Sequence, residues 1–272
     1  MSQMEAPVVW TTRGPVQGSS LSSEVSGYFG IPYAAPPVGD LRWKPPVEPE
    51  SWTDNRDGSK FGSDPIQPMG MRISRAPGMS EDCLYINVWA PNDRRQDGWP
   101  VMVWACGGAF TTGSGAFAEE DPTRLAARGA IVVSFNVRLG LFGFFAHAGL
   151  TAESAHGSSG NYGLLDQAAA LRWVRENIHA FGGDGNRITF FGQSAGATLG
   201  MLLLSSPIVM EPYDRAIFQS PGSFSKLLRR EDAERHGAGL GDDVGALRAL
   251  STAQVLARLI HQKCPEGLAG VA

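Results

Sequence analysis

The chain alternates between short runs rich in β-branched and aromatic residues and longer stretches whose apolar positions recur every three or four residues. Leu84 to Ala90 (LYINVWA), Val101 to Ala105 (VMVWA) and Ala130 to Asn136 (AIVVSFN) read as strands. The last two are apolar almost throughout, as strands covered on both faces must be. An antiparallel entry precedes them: Val8 to Thr12, a turn at Gly14-Pro15, then Tyr28-Phe29-Gly30-Ile31 ahead of Pro32. From Ala35 to Arg75, glycine and proline interrupt every pattern, so this segment must pack through Trp43, Trp52 and Phe61 rather than through regular structure.

Helical periodicity predicts Asp121 to Arg128, with Asp121 as N-cap and Pro122 as first helical residue. It is clearest over Asn161 to Phe181, where Leu164, Ala168, Leu171, Val174 and Ile178 follow steps of 4, 3, 3 and 4 before Gly182-Gly183 ends the run. Beyond it come a strand around Ile188 to Phe191, a helix from Ala197 carrying Leu199, Leu202 and Leu203, a strand Arg215 to Gln219, and helices around Glu231 to His236 and Thr252 to His261. Strands alternating with helices predict an α/β fold, with a mostly parallel central sheet covered by helices on both faces.

A length of 272 residues, 43% of them hydrophobic, is enough to bury a sizeable core, as one large α/β domain or two small ones. The net charge of −4, without long blocks of one sign, gives no electrostatic reason to expect nucleic acid or an anionic membrane as partner. The longest nearly apolar run, Leu139 to Ala146, is far shorter than the roughly 18 residues of a membrane span. The start, MSQMEAPVVW, has no secretory pattern, and the three cysteines (Cys83, Cys106, Cys264) have no metal-ligand spacing. The expectation is a cytoplasmic protein without metal or cofactor that acts on a small neutral molecule.

The candidate chemistry lies between strand and helix, at Gly192-Gln193-Ser194-Ala195-Gly196. A G-x-S-x-G there forces its serine into a tight turn, since only glycine on both sides lets strand and helix approach, and leaves the hydroxyl standing above the sheet. With 34 glycines in the chain each flank is glycine about one time in eight, so the pentapeptide alone is weak and its context must carry the reading.

That context is a series of separated motifs: YFGIPYAAPPVGDLRW (28–43), SEDCLYINVW (80–89), VWACGGAF (103–110), NVRLGLFGF (136–144), GNYGLLDQAAALRWVRENIHAFGGD (160–184), GQSAGA (192–197) and RAIFQS (215–220). In order and spacing they resemble the type-B carboxylesterase and cholinesterase branch of the α/β-hydrolases, clearly over about residues 8–225. The resemblance implies an α/β-hydrolase fold and a carboxylic ester hydrolase. Ser194 would be the catalytic nucleophile, and the amides of Gly108, Ala109 and Ala195 would form the oxyanion hole. Gly107-Gly108 can turn its amides to a ligand unhindered, and Ala195 opens a helix, where N–H groups are unpaired. The resemblance also implies internal ion pairs Arg42 with Glu81 and Arg138 with Asp166.

Some positions depart from the family pattern. Cys106 replaces a usual His or Tyr and reads as a buried small thiol. Gln193 replaces a Glu, removing a negative charge beside the nucleophile, and Ser220-Pro221-Gly222 replaces Ser-Gly. Cys83 has no upstream cysteine to pair with. The family places its catalytic acid and histidine well beyond the 78 residues that follow Ser194. None of His147, His156, His179, His236 and His261 matches the family's histidine motif. The expectation is therefore that residues 1–272 form one incomplete hydrolase domain, lacking the C-terminal strands and dependent on acid and base from elsewhere. Strand Arg215 to Gln219 would be left as a pairing edge, open to a complementing C-terminal chain or a second copy unless the C-terminal helices cover it. The alternatives are a catalytically inactive cholinesterase-like binding protein and, within the family, an amide or carbamate hydrolase.

Overall fold

The computed structural model describes residues 6–70, 72–206, 212–222 and 227–261. Three sheets form among the described residues. A small one joins β1 (Val8–Trp10), β2 (Pro15–Gln17) and β5 (Arg56–Asp57), and β6 (Asp64–Pro65) pairs with β7 (Met79–Ser80). The main sheet has seven strands: β3 (Ser19–Ser20), β4 (Val25–Pro32), β8 (Tyr85–Pro91), β9 (Trp99–Ala105), β10 (Ile131–Phe135), β11 (Gly183–Gln193) and β12 (Arg215–Gln219). Their spatial order is β12-β11-β9-β10-β8-β4-β3.

The pairings β12/β11, β11/β9 and β9/β10 are parallel, whereas β10/β8, β8/β4 and β4/β3 are antiparallel. The sheet is thus parallel over one half rather than over most of its width. Parallel neighbours require crossover connections, usually helical. Between the strands, the α-helices among the described residues fall in the last three connections: α1 (Thr123–Ala126) after β9, α2 (Gly140–Phe144), α3 (Ala148–Glu153) and α4 (Tyr162–Asn177) after β10, and α5 (Ala195–Leu204) after β11. After β12 the described residues form α6 (Arg230–Ala238), α7 (Val244–Arg248) and α8 (Thr252–His261).

Alternation along the strands separates two faces. Val101, Val103, Ile131, Val133, Ile188 and Phe190 meet Leu171 and Val174 of α4 and Leu203 of α5 in the main core. Val132 and Trp89, on the other face, meet Ala126 of α1, with Phe29 and Phe61 beside them. This second face thins towards β12, where Met102, Trp104 and Phe191 are only half-buried and Ile217 is 47% exposed.

The irregular segment is held as expected. The Trp43 indole donates to Leu141 O (2.8 Å), that of Trp52 to Pro15 O (2.8 Å), and Phe61 stacks on Phe29 with ring centroids 4.3 Å apart. Strand β1 stops short of Thr12 because Thr11 turns its amide and hydroxyl to Gly14 O (3.0 and 2.8 Å). Asp121 Oδ1 accepts from Thr123 N (2.9 Å), but the helix starts only at Thr123, so Pro122, expected as its first residue, takes the N-cap position in place of Asp121.

The C-terminal helices do not cover β12. Val244, Leu247 and Val255 pack on Trp43, Leu141, Phe142 and Leu150, while Arg42 donates to Arg248 O and Leu250 O (2.8 and 2.6 Å). Among the described residues, β12 is bonded on one side only, to β11.

Candidate active site

Ser194 stands where β11 ends and α5 begins, with φ 51° and ψ −120°. L-residues avoid that combination, and holding one there costs about 1–3 kcal/mol. The turn can be this tight because its flanks lack side chains. A Cβ on Gly196 would run into the Ala105 carbonyl and lie 2.7 Å from Cys106 O, and one on Gly192 would lie 2.9 Å from Ala197 N. The first turn of α5 therefore rests directly on the end of β9. Ser194 N donates to Gln219 O at the tip of β12 (2.8 Å), and Ser194 O accepts from Thr198 N and Oγ1 (2.9 and 3.0 Å). The backbone is fixed on both sides while the residue stays half-exposed; Ala195 is buried.

The chain leaving β9 forms the opposite wall. Gly107 presses against the serine turn: a Cβ there would lie 2.8 Å from Gln193 O and 3.2 Å from Ser194 Cβ. Gly108, Ala109 and Phe110 follow at φ 135°, 51° and 61°. The Gly108 carbonyl accepts from Thr111 N and Thr112 N (3.0 and 2.9 Å) and from their hydroxyls (3.3 and 3.2 Å). Because a trans peptide is planar, a carbonyl drawn into the loop turns the Ala109 N–H the opposite way, out of the loop. Among the described residues the amides of Gly108, Ala109 and Ala195 donate to no protein acceptor. Phe110 is buried with Phe144, Ala195 and Leu199, so loop and helix start share one apolar floor. A half-exposed hydroxyl beside undonated amides can attack an acyl carbon and receive the negative oxygen that results.

Cys106, expected as a buried core thiol, is instead half-buried beside charge. Arg72 Nη1 lies 3.6 Å from its sulfur, and Glu120 is held close by the Trp104 indole (2.6 Å). Burial, then the Glu120 charge, pushes its pKa up to about 11, so the thiol stays protonated near neutral pH. Gln193 is exposed, with its side-chain oxygen against Gly107.

No described histidine hydrogen-bonds Ser194. The buried His147 uses both nitrogens elsewhere, Nδ1 accepting from Gly149 N and Nε2 lying 3.0 Å from Gly241 O. His236 is exposed, with Nδ1 2.7 Å from Asp232 O, and His156 and His179 are exposed. The side chain of His261, like Cys264, lies outside the described residues. The two ion pairs are structural. Arg42 meets Glu81 at 2.7 and 2.5 Å, and Arg138 meets Asp166 at 2.8 and 2.6 Å, all four side chains buried. Sequence reasoning missed the residues that shape the amide loop: Thr111 and Thr112 inside it, and Gln67, which bonds Gly113 from 46 residues away. Nothing in the local pattern around Gln67 singles it out.

Residues 5–270 match the Carboxylesterase family. The chain is 47% identical over 256 residues to a fumonisin B1 esterase of Sphingopyxis macrogoltabida, covering 94% of this chain and 47% of that protein. It is 44% identical to a para-nitrobenzyl esterase of Bacillus subtilis, covering 92% of this chain and 51% of the relative. Among solved structures, a carboxylesterase of Geobacillus stearothermophilus superposes with a TM-score of 0.86 at 38% identity, covering 98% of this chain and 55% of that one. The chain thus spans about half the length of these relatives, with the same α/β-hydrolase architecture. It belongs to the Carboxylesterase family.

Proposed function

We propose that this chain supplies the nucleophile and the oxyanion-binding amides of a carboxylic ester hydrolase. Ser194 Oγ attacks the ester carbonyl carbon while its proton passes to an imidazole. The alkoxide leaves with that proton, and water then hydrolyses the acyl-serine. Gly108, Ala109 and Ala195 receive the carbonyl oxygen as it becomes negative, each donor being worth about 3 kcal/mol of barrier. The single observation that carries this reading is the strained backbone of Ser194 beside the Gly108, Ala109 and Ala195 amides, which donate to no protein acceptor among the described residues. Ester rather than amide or carbamate substrates are favoured by the relatives named as esterases.

The imidazole and its orienting carboxylate are assigned to polypeptide beyond the described residues, docking along the free edge of β12. Two features support that edge: its one-sided pairing and the half-buried apolar side chains of the neighbouring face. Without a base a serine hydroxyl loses on the order of 10⁶ in rate. We also propose a cytoplasmic setting, supported by Cys83 being a free, buried thiol.

A fluorophosphonate probe tests the assignment. Ser194 should be labelled rapidly when the downstream polypeptide is present and slowly in this chain alone, and Ser194→Ala should abolish labelling. Probe attachment elsewhere in the assembled protein would overturn the role of Ser194. Equally fast labelling of this chain alone would overturn the assignment of the base.

A further inference from the structure

The amides of Gly108 and Ala109 belong to a loop whose near end is fixed by β9. Its far end, at Gly113, has no strand or helix to hold it. It is held by one side chain. Gln67 Nε2 donates to Gly113 O (2.8 Å) and Gln67 Oε1 accepts from Gly113 N (2.9 Å), so a buried carboxamide makes the double bond pattern of one antiparallel ladder rung. Nε2 also reaches Pro65 O at 3.2 Å, tying the contact to β6.

Gly113 in turn lies against the first donor peptide. A Cβ on it would be 3.2 Å from Gly107 O and 3.9 Å from Cys106 Sγ. The Cys106 thiol itself lies 3.3 Å from Gly107 O. Gly107 O and Gly108 N–H share one planar peptide and point in opposite directions, so whatever limits the carbonyl also aims the amide. The next residues continue the anchoring away from the site: Ser114 Oγ donates to Asp64, and Gly115 N donates to Asn136 Oδ1 (2.8 Å).

We infer that Gln67 is a positioning residue for the oxyanion-binding amides, acting through Gly113 and without touching substrate. The inference rests on the ester-hydrolase reading for its consequence in rate, but the brace itself is a property of this chain. A methionine at 67 keeps the side-chain length and leaves Gly113 N and O without partners. A glutamate keeps the acceptor for Gly113 N–H and sets a carboxylate against Gly113 O.

Hydrogen exchange read by mass spectrometry tests the brace directly. In Gln67→Met, amides within 107–113 should exchange about ten-fold faster while β9, β10 and α4 keep their protection. Unchanged exchange in the loop overturns the inference, as does acceleration spread evenly over the sheet. Should Gln67→Met fail to fold, Gln67→Glu serves the same comparison. In the assembled, hydrolytically competent protein, Gln67→Met should lower kcat on the order of ten-fold with KM little changed. It should weaken a trifluoromethyl ketone inhibitor by the same factor, because the hemiketal oxygen needs the same amides. A loss confined to KM overturns the positioning role. If the wild-type protein hydrolyses no ester, the functional reading falls, and the exchange result still decides the brace.

Discussion

The backbone of Ser194 makes a prediction that separates the conformational cost of this residue from the chemistry proposed for it. At φ 51° and ψ −120° any residue with a Cβ is strained, by about 1–3 kcal/mol. Ser194→Ala removes the hydroxyl and keeps the Cβ, so it leaves the strain in place. Ser194→Gly removes both. Against that relief stands the greater freedom of glycine in the unfolded chain, about 0.4–1 kcal/mol. Since the serine side chain makes no hydrogen bond among the described residues, little else changes. Ser194→Gly should therefore be more stable than Ser194→Ala by roughly 1–2 kcal/mol, the difference between relief and entropy. Equilibrium unfolding in urea of the two variants, side by side, measures it, and both should be inert to the phosphonate probe. If the glycine variant is no more stable than the alanine variant, the turn is not strained and the structural basis for singling out Ser194 is lost.

Gly196→Ala should displace the serine turn, because the added methyl meets the Ala105 and Cys106 carbonyls; phosphonate labelling should slow about 10²-fold, and Leu204→Ala, exposed on the same helix, should label normally. Arg138→Met should destabilise the fold by about 3–5 kcal/mol in urea unfolding, since it leaves the fully buried Asp166 carboxylate unpaired, whereas Arg138→Met with Asp166→Leu should recover much of the loss. Asp64 is buried and its pKa is raised by desolvation, so the folded state holds its proton more tightly than the unfolded chain and stability falls as pH rises through that window. Asp64→Asn should accordingly raise the melting temperature at about pH 7.5 and bring a smaller gain at about pH 3, below the ordinary carboxylate range, where both states of the wild type are largely protonated; an equal gain at both would refute this.

How much of this was legible depends on where each element gets its stability. Strand β10 stood out because burial on both faces demands a nearly unbroken apolar run, and Arg215–Gln219 and Thr252–His261 fall where the pattern placed them. Helix α2 did not, because Gly140 and Gly143 weaken its local propensity; all five of its residues are buried, so it is held by the tertiary core and by the Trp43 indole at Leu141 O. The extent of parallel pairing was overestimated because nothing in a strand's own pattern states what its neighbours are. At the candidate site the serine turn was legible from its glycines. The bracing of the amide loop was not, since a glutamine between prolines gives no periodicity, and Cys106 could not reveal from the sequence that Arg72 and Glu120 flank it.

The hydrogen bond from Ser194 N to Gln219 O gives the outermost strand a second meaning. Gln219 is the last residue of β12, so the strand that any newcomer would grip is anchored, at its tip, to the main chain of Ser194, the proposed nucleophile. Ordering along that rim would stiffen the serine's perch in the same act. Assembly and chemical competence would then share a mechanical link as well as a supply of missing groups, and a peptide that merely zips onto the rim, bringing no imidazole, should still leave its mark on the serine.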